Sequence, residues 1–587
     1  MYLRSVVLAI VTLLSLSCFA QTQILCTNST AEQVMKGNYD PAAYTAPVII
    51  NHPDSISRQL QHLISADSLK SYILALNTFH NRNTGSDTVS TTQGIGAARR
   101  WAYSKFQQFS AANSNRLLPF YLQFNLAICN VLQHKNICAV LPGTDTSDKS
   151  IIIIEGHIDS RCEVLCDTGC LAEGIEDNAT GTALVLELAR VMSRFSLNHS
   201  VVFILTIAEE QGLDGAEAVA DYCQQKGIQV KAVLNNDVIG GIICGKTSSA
   251  PSCPGENDVD STHVRFFSYG GFNSKHKQLS RFIKLQYKEQ IVSLASVPMS
   301  IQIMTPEDRT NRGGDHIPFR QHNYAAMRFT SANEHGDANV DSVNYSDRQH
   351  STRDILGVDT DNDQVVDSFY VDFNYLSRNA VINGIGATMA AIGPPVPTLV
   401  VDTARGNRIR VEIQNEFFFS QYRIAVRSVT NDWDSVYTLI GKMVDTISLC
   451  DTGTYYVSAA TMNYKNVEGL FTGEIMVQLR DSSMCVYNGL NDELPDSEGI
   501  DLLQNKPNPF DELTAIPVFV HGNMQTKKAF ISICDLSGKE VQRTPVSLNK
   551  GMNEVFFRHG YHASGIFFYT LVIDDKPVQT RRMVFGN

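Results

Sequence analysis

Four short runs constrain this chain more than any other feature of it. Ser150–Glu155 (SIIIIE), Ser200–Ile207 (SVVFILTI), Val230–Asn235 (VKAVLN) and Ala325–Phe329 are almost unbroken in apolar, largely β-branched residues. They alternate with helical periodicity between about Ser55 and Ile392. A strand that alternates buries one face, whereas a strand apolar throughout needs cover on both, which is what a parallel sheet between helical layers supplies. Between the first two runs, Thr180 reads as the N-cap of a helix whose Val185, Leu188, Ala189 and Met192 fall at i, i+3, i+4 and i+7. The expected fold is a doubly wound α/β domain with a mostly parallel sheet.

After Gly393 the pattern changes. Pro394-Pro395-Val396-Pro397 opens a region of alternating strands, among them Arg408–Ile413 (RIRVEI), Tyr422–Val426 and Thr454–Ala459 (TYYVSA), with almost no helical periodicity. The 587 residues exceed what one core organises, since domains run to roughly 100–200 residues. The expected division is a leader over 1–20, an N-terminal segment over 21–49, an enzyme-like domain over 50–392, a β-sandwich over 395–485, an acidic linker over 486–500 and a second all-β sandwich over 501–587. The leader rests on Arg4, the apolar run Val6–Leu16 and the small-x-small pattern Cys18-Phe19-Ala20. That run is well short of the ~20 residues of a spanning helix, so the chain reads as secreted with no transmembrane span.

Export permits disulfides. Cys162, Cys166 and Cys170 crowd one loop, and Cys244 and Cys253 bracket another, so at least one local bridge is expected; the trio lacks the fourth ligand of a zinc knuckle. Hydrophobic residues at 43% and charged residues at 18% are ordinary globular values that exclude wholesale disorder, collagen and coiled coil. A net charge of -12 leaves no cationic footprint for nucleic acid or an anionic membrane.

Ligands of open α/β sheets bind beyond the carboxyl ends of the strands, and the acids and histidines of this chain fall there. The first run ends in Gly156-His157-Ile158-Asp159, and the helix after it is preceded by Gly174-Ile175-Glu176-Asp177-Asn178-Ala179. The second ends in Ala208-Glu209-Glu210 and the third in Asn235-Asn236-Asp237; farther on stand Asp315-His316-Ile317-Pro318-Phe319 and His350-Ser351-Thr352-Arg353-Asp354. Imidazole nitrogens with carboxylate oxygens suit a borderline cation such as zinc. A carboxylate able to bridge, flanked by two His-plus-carboxylate pairs, suits two. A backbone turn after the strand would let one of Glu209 and Glu210 ligate while the other serves as base.

In that order the motifs resemble metallopeptidase family 28, the co-catalytic zinc aminopeptidases and their relatives, and Asn81-Arg82-Asn83-Thr84-Gly85-Ser86 is similar to the family's opening segment. The resemblance implies that His157 and Asp237 hold one zinc, that Glu210 and His350 hold the other and that Asp177 bridges. It further implies that Glu209 is the base, that Asp159 orients His157, and that Asp315 and His316 form pocket wall; on spacing alone His316 competes with His350. The implied activity is removal of N-terminal residues from peptide or protein substrates. Two alternatives stay open: a glutaminyl-cyclase-like acyltransferase on the same fold around one zinc, and a metal-free surface-binding protein.

Asp359, Asp361, Asp363 and Asp367 follow the first part of a calcium-loop pattern, with Gln364 in place of its turn Gly and Tyr370 in place of its bidentate Glu. The region 395–485 resembles a fibronectin type III domain, with a spacer or surface-adhesion role. The last segment, with Leu503-Gln504-Asn505-Lys506-Pro507-Asn508-Pro509-Phe510 and Ser564-Gly565-Ile566-Phe567-Phe568-Tyr569, is similar to the sorting domain of type IX secretion substrates. That similarity implies the type IX secretion machinery as partner and a protein secreted from, or carried on the surface of, a Gram-negative bacterium.

Overall fold

A computed structural model describes residues 23–585 except 244–257, 309–311, 333–347, 405–406, 415–418, 450–451, 480–499, 507, 509, 511–512, 522–527, 536–538, 559–564 and 575. The expected leader, Cys244 with Cys253, and Asn488–Glu498 lie outside the described residues. The chain divides into two compact units, Met1–Cys485 and Val486–Asn587.

The first unit is built on nine strands: β1 (Leu25–Cys26), β2 (Leu118–Ile128), β3 (Val131–Leu141), β4 (Ile151–His157), β5 (Val201–Thr206), β6 (Val230–Asn236), β7 (His263–Phe267), β8 (Ser300–Ile303) and β9 (Ala326–Ser331), in the order β1-β2-β3-β5-β4-β6-β9-β7-β8. The four apolar runs are its centre, β5-β4-β6-β9, and pair in parallel. Every residue of β4, β5 and β9 is buried.

The sheet is mixed rather than mostly parallel. The pairs β1/β2, β2/β3, β3/β5 and β7/β9 are antiparallel, against parallel β4/β5, β4/β6, β6/β9 and β7/β8. Uniform apolarity marks only strands covered on both faces. The β2-β3 hairpin lies toward one edge; β2 alternates in burial over its first seven residues, while β3 is buried throughout from Asn136 to Leu141. Its turn, Cys129-Asn130, has φ of 44° and 67°, the primed conformation that matches strand twist, without the glycine that usually signals it.

Among the described residues ten α-helices accompany the sheet: α1 (Ser29–Met35), α2 (Pro53–Leu63), α3 (Ala66–Asn77), α4 (Gly94–Ala112), α5 (Thr180–Met192), α6 (Glu209–Gly212), α7 (Asp214–Lys226), α8 (Lys275–Gln290), α9 (His316–Gln321) and α10 (Phe373–Ile392). α5 and α10 pack on β4, α7 on β3, and α9 on β6 and β9. Thr180 is not the N-cap of α5. The chain is already turning over Ile175–Ala179, so Thr180 has helical φ and ψ of -64° and -48°, and an N-cap needs an extended backbone. Its hydroxyl donates to Glu176 O at 2.9 Å, and Asn178 Oδ1 accepts from the Gly181 amide at 2.8 Å. Among the described residues no helix is long and apolar enough to cross a membrane.

A short hairpin, β10 (Gly357–Val358) with β11 (Ser368–Phe369), precedes α10. Seven strands follow it: β12 (Leu399–Ala404), β13 (Arg408–Ile413), β14 (Gln421–Arg427), β15 (Ser435–Ile440), β16 (Val444–Ser448), β17 (Gly453–Met462) and β18 (Ile475–Leu479). They form sheets β12-β13-β16 and β15-β14-β17-β18, with Ile409, Val411, Ile424 and Val457 in a common core. Ala425, Ala460, Val467 and Phe471 belong instead to the apolar core of the α/β domain. The sandwich therefore shares part of its core with the α/β domain, in one compact unit.

The described residues of the second unit form seven strands: β19 (Ile500–Leu502), β20 (Leu513–Val520), β21 (Ala529–Asp535), β22 (Glu540–Pro545), β23 (Gly551–Arg558), β24 (Gly565–Ile573) and β25 (Lys576–Phe585). Its sheets are β19-β20-β23 and β22-β21-β24-β25, around Leu502, Ile516, Val518, Tyr569, Leu571 and Met583.

Candidate metal centre

The carboxyl ends of β4, β5 and β6 deliver the acids and histidines to one place. His157 closes β4 and Asp237 follows β6, and both are buried. Asp177 comes from the turn before α5, where two glycines are required. Gly174 has φ of 51°, and a Cβ there would stand 2.3 Å from Ser160 Cβ; one on Gly181 would stand 2.2 Å from Asn236 O. After β5, Ala208 adopts the left-handed conformation with φ of 62° and turns the chain into α6, so that Glu209 and Glu210 leave the strand in a helical turn.

Asp177 lies between the two histidines. Its Oδ1 is 3.1 Å from His157 Nε2 and its Oδ2 is 3.1 Å from His350 Nε2. Around His157, Asp237 Oδ1 is 3.3 Å from Nε2; around His350, Glu210 Oε2 is 3.1 Å from Nε2. Ligand atoms of His157, Glu209 and Asp237 lie within 4.8 Å of one another, as do those of His157, Asp177 and Glu210. Of the two histidines that spacing left in competition, His350 is the one that reaches Asp177 and Glu210. His316 begins α9 and is wholly buried, with burial pushing its ring down to about 4.

Electrostatics in the site are dominated by carboxylates in a desolvated space. Burial alone would depress His157, but Glu209, Asp159, Asp177 and Asp237 hold its ring well above the ordinary value. Burial drives the Glu209 carboxyl well above its usual range; His157 opposes this, and Asp237, Glu210 and Asp315 reinforce it. Asp315, wholly buried and accepting from the Thr206 hydroxyl, is pushed up to about 7, first by burial. Glu210 Oε1 is buried without a hydrogen-bond partner, an uncompensated cost that a cation would remove. Imidazole nitrogens and carboxylate oxygens in two groups sharing Asp177 fit a pair of borderline divalent cations.

Asp159 braces the site from behind. It accepts from Thr84 Oγ1 at 3.2 Å and from the Glu209 and Glu210 amides at 3.4 Å each, while its Oδ1 lies 3.5 Å from His157 Nδ1. It thus fixes a ring and a turn together, which is how outer groups orient ligands.

Several site residues carry no sequence signal of their role. Asp354 accepts from the Glu176 amide at 2.9 Å and the Asp177 amide at 3.0 Å, fixing the segment that carries Asp177. Arg82, wholly buried, donates to Ile158 O at 2.8 Å and Gly174 O at 2.9 Å, tying the loop after β4 to the turn before α5. Arg161 Nη2 and Arg312 Nη1 stand 2.6 Å and 3.0 Å from His350 Nδ1, and Arg328 Nη2 is 3.1 Å from Asp237 Oδ2. Arg82 and Asp354 fall inside the quoted motifs and Arg328 inside the fourth apolar run, whereas Arg161 and Arg312 fall in none.

The loop after β4 carries two disulfides. Cys162–Cys170 is the local bridge expected there, and Cys129–Cys166 ties the loop to the β2-β3 turn. In the hairpin from β10 to β11, oxygens of Asp359, Asp361 and Asp367 gather within 4.8 Å. Asp359 also accepts from the Asn362 and Gln364 amides at 2.7 Å each, and Asp363 from the Val365 amide at 2.8 Å.

Comparison with known proteins matches this region to a described family. Peptidase family M28 matches residues 136–367, a stretch that contains all the residues named above from His157 to His350. A probable zinc metalloprotease of Pyrenophora tritici-repentis is 30% identical over 296 residues, which cover 48% of this chain and 67% of that protein. The chain belongs to peptidase family M28. A probable zinc metalloprotease of Leptosphaeria maculans is 26% identical over 396 residues, 64% of this chain and 87% of that protein. Among solved structures, the LapA aminopeptidase of Legionella pneumophila aligns with a TM-score of 0.43 at 17% identity, over 60% of this chain and 78% of that one. A glutaminyl cyclase of Porphyromonas gingivalis aligns with a TM-score of 0.36 at 14% identity, over 55% and 98%. Likenesses that slight separate neither chemistry from the other. In the M28 peptidase described here, the matched stretch ends within the Asp-rich hairpin.

Proposed function

We propose that this M28 peptidase is a secreted, two-zinc aminopeptidase that removes N-terminal residues from peptides. One observation carries the proposal: Asp177 faces His157 with one carboxylate oxygen and His350 with the other, at 3.1 Å each. His157, Asp237 and Asp177 would hold one ion, and His350, Glu210 and Asp177 the other. Zinc bound there supplies Lewis acidity, polarising the scissile carbonyl and making an attacking water acidic. Glu209 is the residue that moves the proton. Its carboxylate would accept a proton from water and return it to the leaving amine. Asp159 keeps His157 and the Glu209-Glu210 turn in register meanwhile. The concentration of carboxylates favours a free α-ammonium group on the substrate, hence an exopeptidase.

Other parts of the reading stand beside this one. The Asp359–Asp367 loop is proposed as a low-affinity calcium site, on its gathered oxygens. The three-plus-four strand layout of the sandwich supports a fibronectin type III-like domain. The second unit's sequence motifs support a sorting domain that hands the protein to type IX secretion machinery, for release from or display on a Gram-negative cell.

The test is hydrolysis of aminoacyl chromogenic substrates with and without chelator, alongside Glu209→Gln. Loss of the base should lower kcat by about 10²–10⁴-fold with zinc still bound; full activity in the variant sinks the assignment. Cyclisation of N-terminal glutamine in place of amino-acid release would identify the acyltransferase instead.

A further inference from the structure

Polar contacts and one short stretch of chain lead from the β-sandwich toward the candidate metal centre. At the junction, Glu474 is 1% exposed at its side chain and pairs with Arg281 of α8 at 3.0 Å and with Arg427 of β14 at 2.5 Å. Arg427 also donates to Thr430 O at 2.8 Å, and Arg281 Nε donates to Asn431 O at 2.7 Å. Two guanidinium groups therefore fix the backbone at Thr430 and Asn431, and Asn431 is one of the residues of the sandwich that reach the enzyme. The Asn431 side-chain amide donates to Thr305 Oγ1 at 2.8 Å and to Ile303 O at 3.3 Å.

From Thr305 the stretch leads to Asp308, which holds Arg328 Nη1 at 2.9 Å and 3.2 Å through its two oxygens. The same guanidinium presents Nη2 to Asp237 Oδ2 at 3.1 Å. Asp308, Asp237 and the Gly313 carbonyl thus share one buried arginine, and the share the two carboxylates take depends in part on where Asp308 sits. A carboxylate that keeps more of a guanidinium's charge is a poorer ligand for a cation. If the Met304–Asp308 stretch relaxes, Asp308 withdraws and Arg328 turns more of its charge onto Asp237.

We propose that the sandwich is a working part of the metal centre, with Asn431 as a positioning residue that sets Asp308, and through Asp308 and Arg328 the ligand strength of Asp237. The proposal rests on the reading of Asp237 as a zinc ligand. It assigns the sandwich a role in metal affinity that neither a spacer nor an adhesion module would have.

Zinc affinity of the full-length chain, measured by competition with a chromogenic chelator, tests it without recourse to activity. Asn431→Ala should weaken one of the two zinc sites by about 2- to 30-fold and leave the other unchanged. Asp308→Asn should weaken the same site by roughly 10- to 100-fold, and Asn431→Ala should add nothing on that background. Lys284→Met removes the adjacent ion pair with Asp432, on the same interface but without contact to Thr305, and should leave both affinities unchanged. Wild-type affinities in Asn431→Ala, full additivity with Asp308→Asn, or an equal loss in Lys284→Met would each overturn the proposal. A wild-type chain that binds no zinc overturns the metal-centre reading itself, and this proposal with it.

Discussion

The seven strands between Leu399 and Leu479 and the seven between Ile500 and Phe585 share a layout, a three-stranded sheet paired with a four-stranded one. Their interiors differ in chemistry. The terminal module satisfies its buried polar groups internally: Tyr569 OH donates to Leu503 O and accepts from the Asn505 amide at 2.8 Å each, and Asn505 Nδ2 donates to Thr514 Oγ1 at 2.9 Å. The first module buries Glu474 and Glu468, and besides Arg427 and Arg423 within it they engage Arg281 and Gln286 on α8, outside it. The Glu474 carboxylate, taken out of water, must be paired, and the buried Glu468 must be hydrogen-bonded. A module whose pairs lie across its boundary is therefore not free to leave that boundary. Strand patterning describes both modules equally well and conveys none of this.

The comparison can be broken at several levels. The largest effect is expected from truncation. A chain ending at Cys485 should keep its zinc and its far-ultraviolet circular dichroism for the first unit. A chain ending at Gly393 strips Arg281 and Gln286 of their partners and should give no folded, zinc-retaining protein. Equal behaviour of the two truncations would erase the distinction. Glu474→Ala comes next: two guanidinium groups stay buried without their carboxylate, and the unfolding free energy of the first unit should fall by about 3–5 kcal/mol in denaturant titration.

The smallest effect is a pH dependence. Burial pushes the Glu468 carboxyl up to about 8 from 4.5, even with Arg423 3.5 Å away. The unfolded chain releases that proton near pH 4.5 and the folded chain keeps it until about 8, so the group costs stability progressively as pH rises across that window and no more beyond it. Glu468→Gln should flatten the stability profile of the first unit over that interval. An unchanged profile would show that the carboxylate is ionised and fully paired.

Legibility followed geometry. The central strands were readable because cover on both faces forces continuous apolarity, and the metal candidates because strand ends concentrate them at His157, Asp177, Glu209, Glu210 and Asp237. The β2-β3 hairpin was hidden by alternation in β2 and by a Cys129-Asn130 turn without glycine. Arg161 and Arg328 act through tertiary approach to a ligand, at no fixed spacing from it. Cys166 finds Cys129 across 37 residues of sequence, while the bridge from Cys162 to Cys170 closes within the loop that announced it. Asn431 lies in an ordinary polar turn, and nothing in that turn points toward Asp237.

The most direct test of the account follows rate and stoichiometry together as zinc is returned to the chelated full-length protein. The account predicts that hydrolysis of an aminoacyl substrate rises to a plateau at two zinc ions per chain, and that His350→Ala plateaus at one with most activity lost. A wild-type plateau at one ion, or full hydrolysis with none bound, would contradict it.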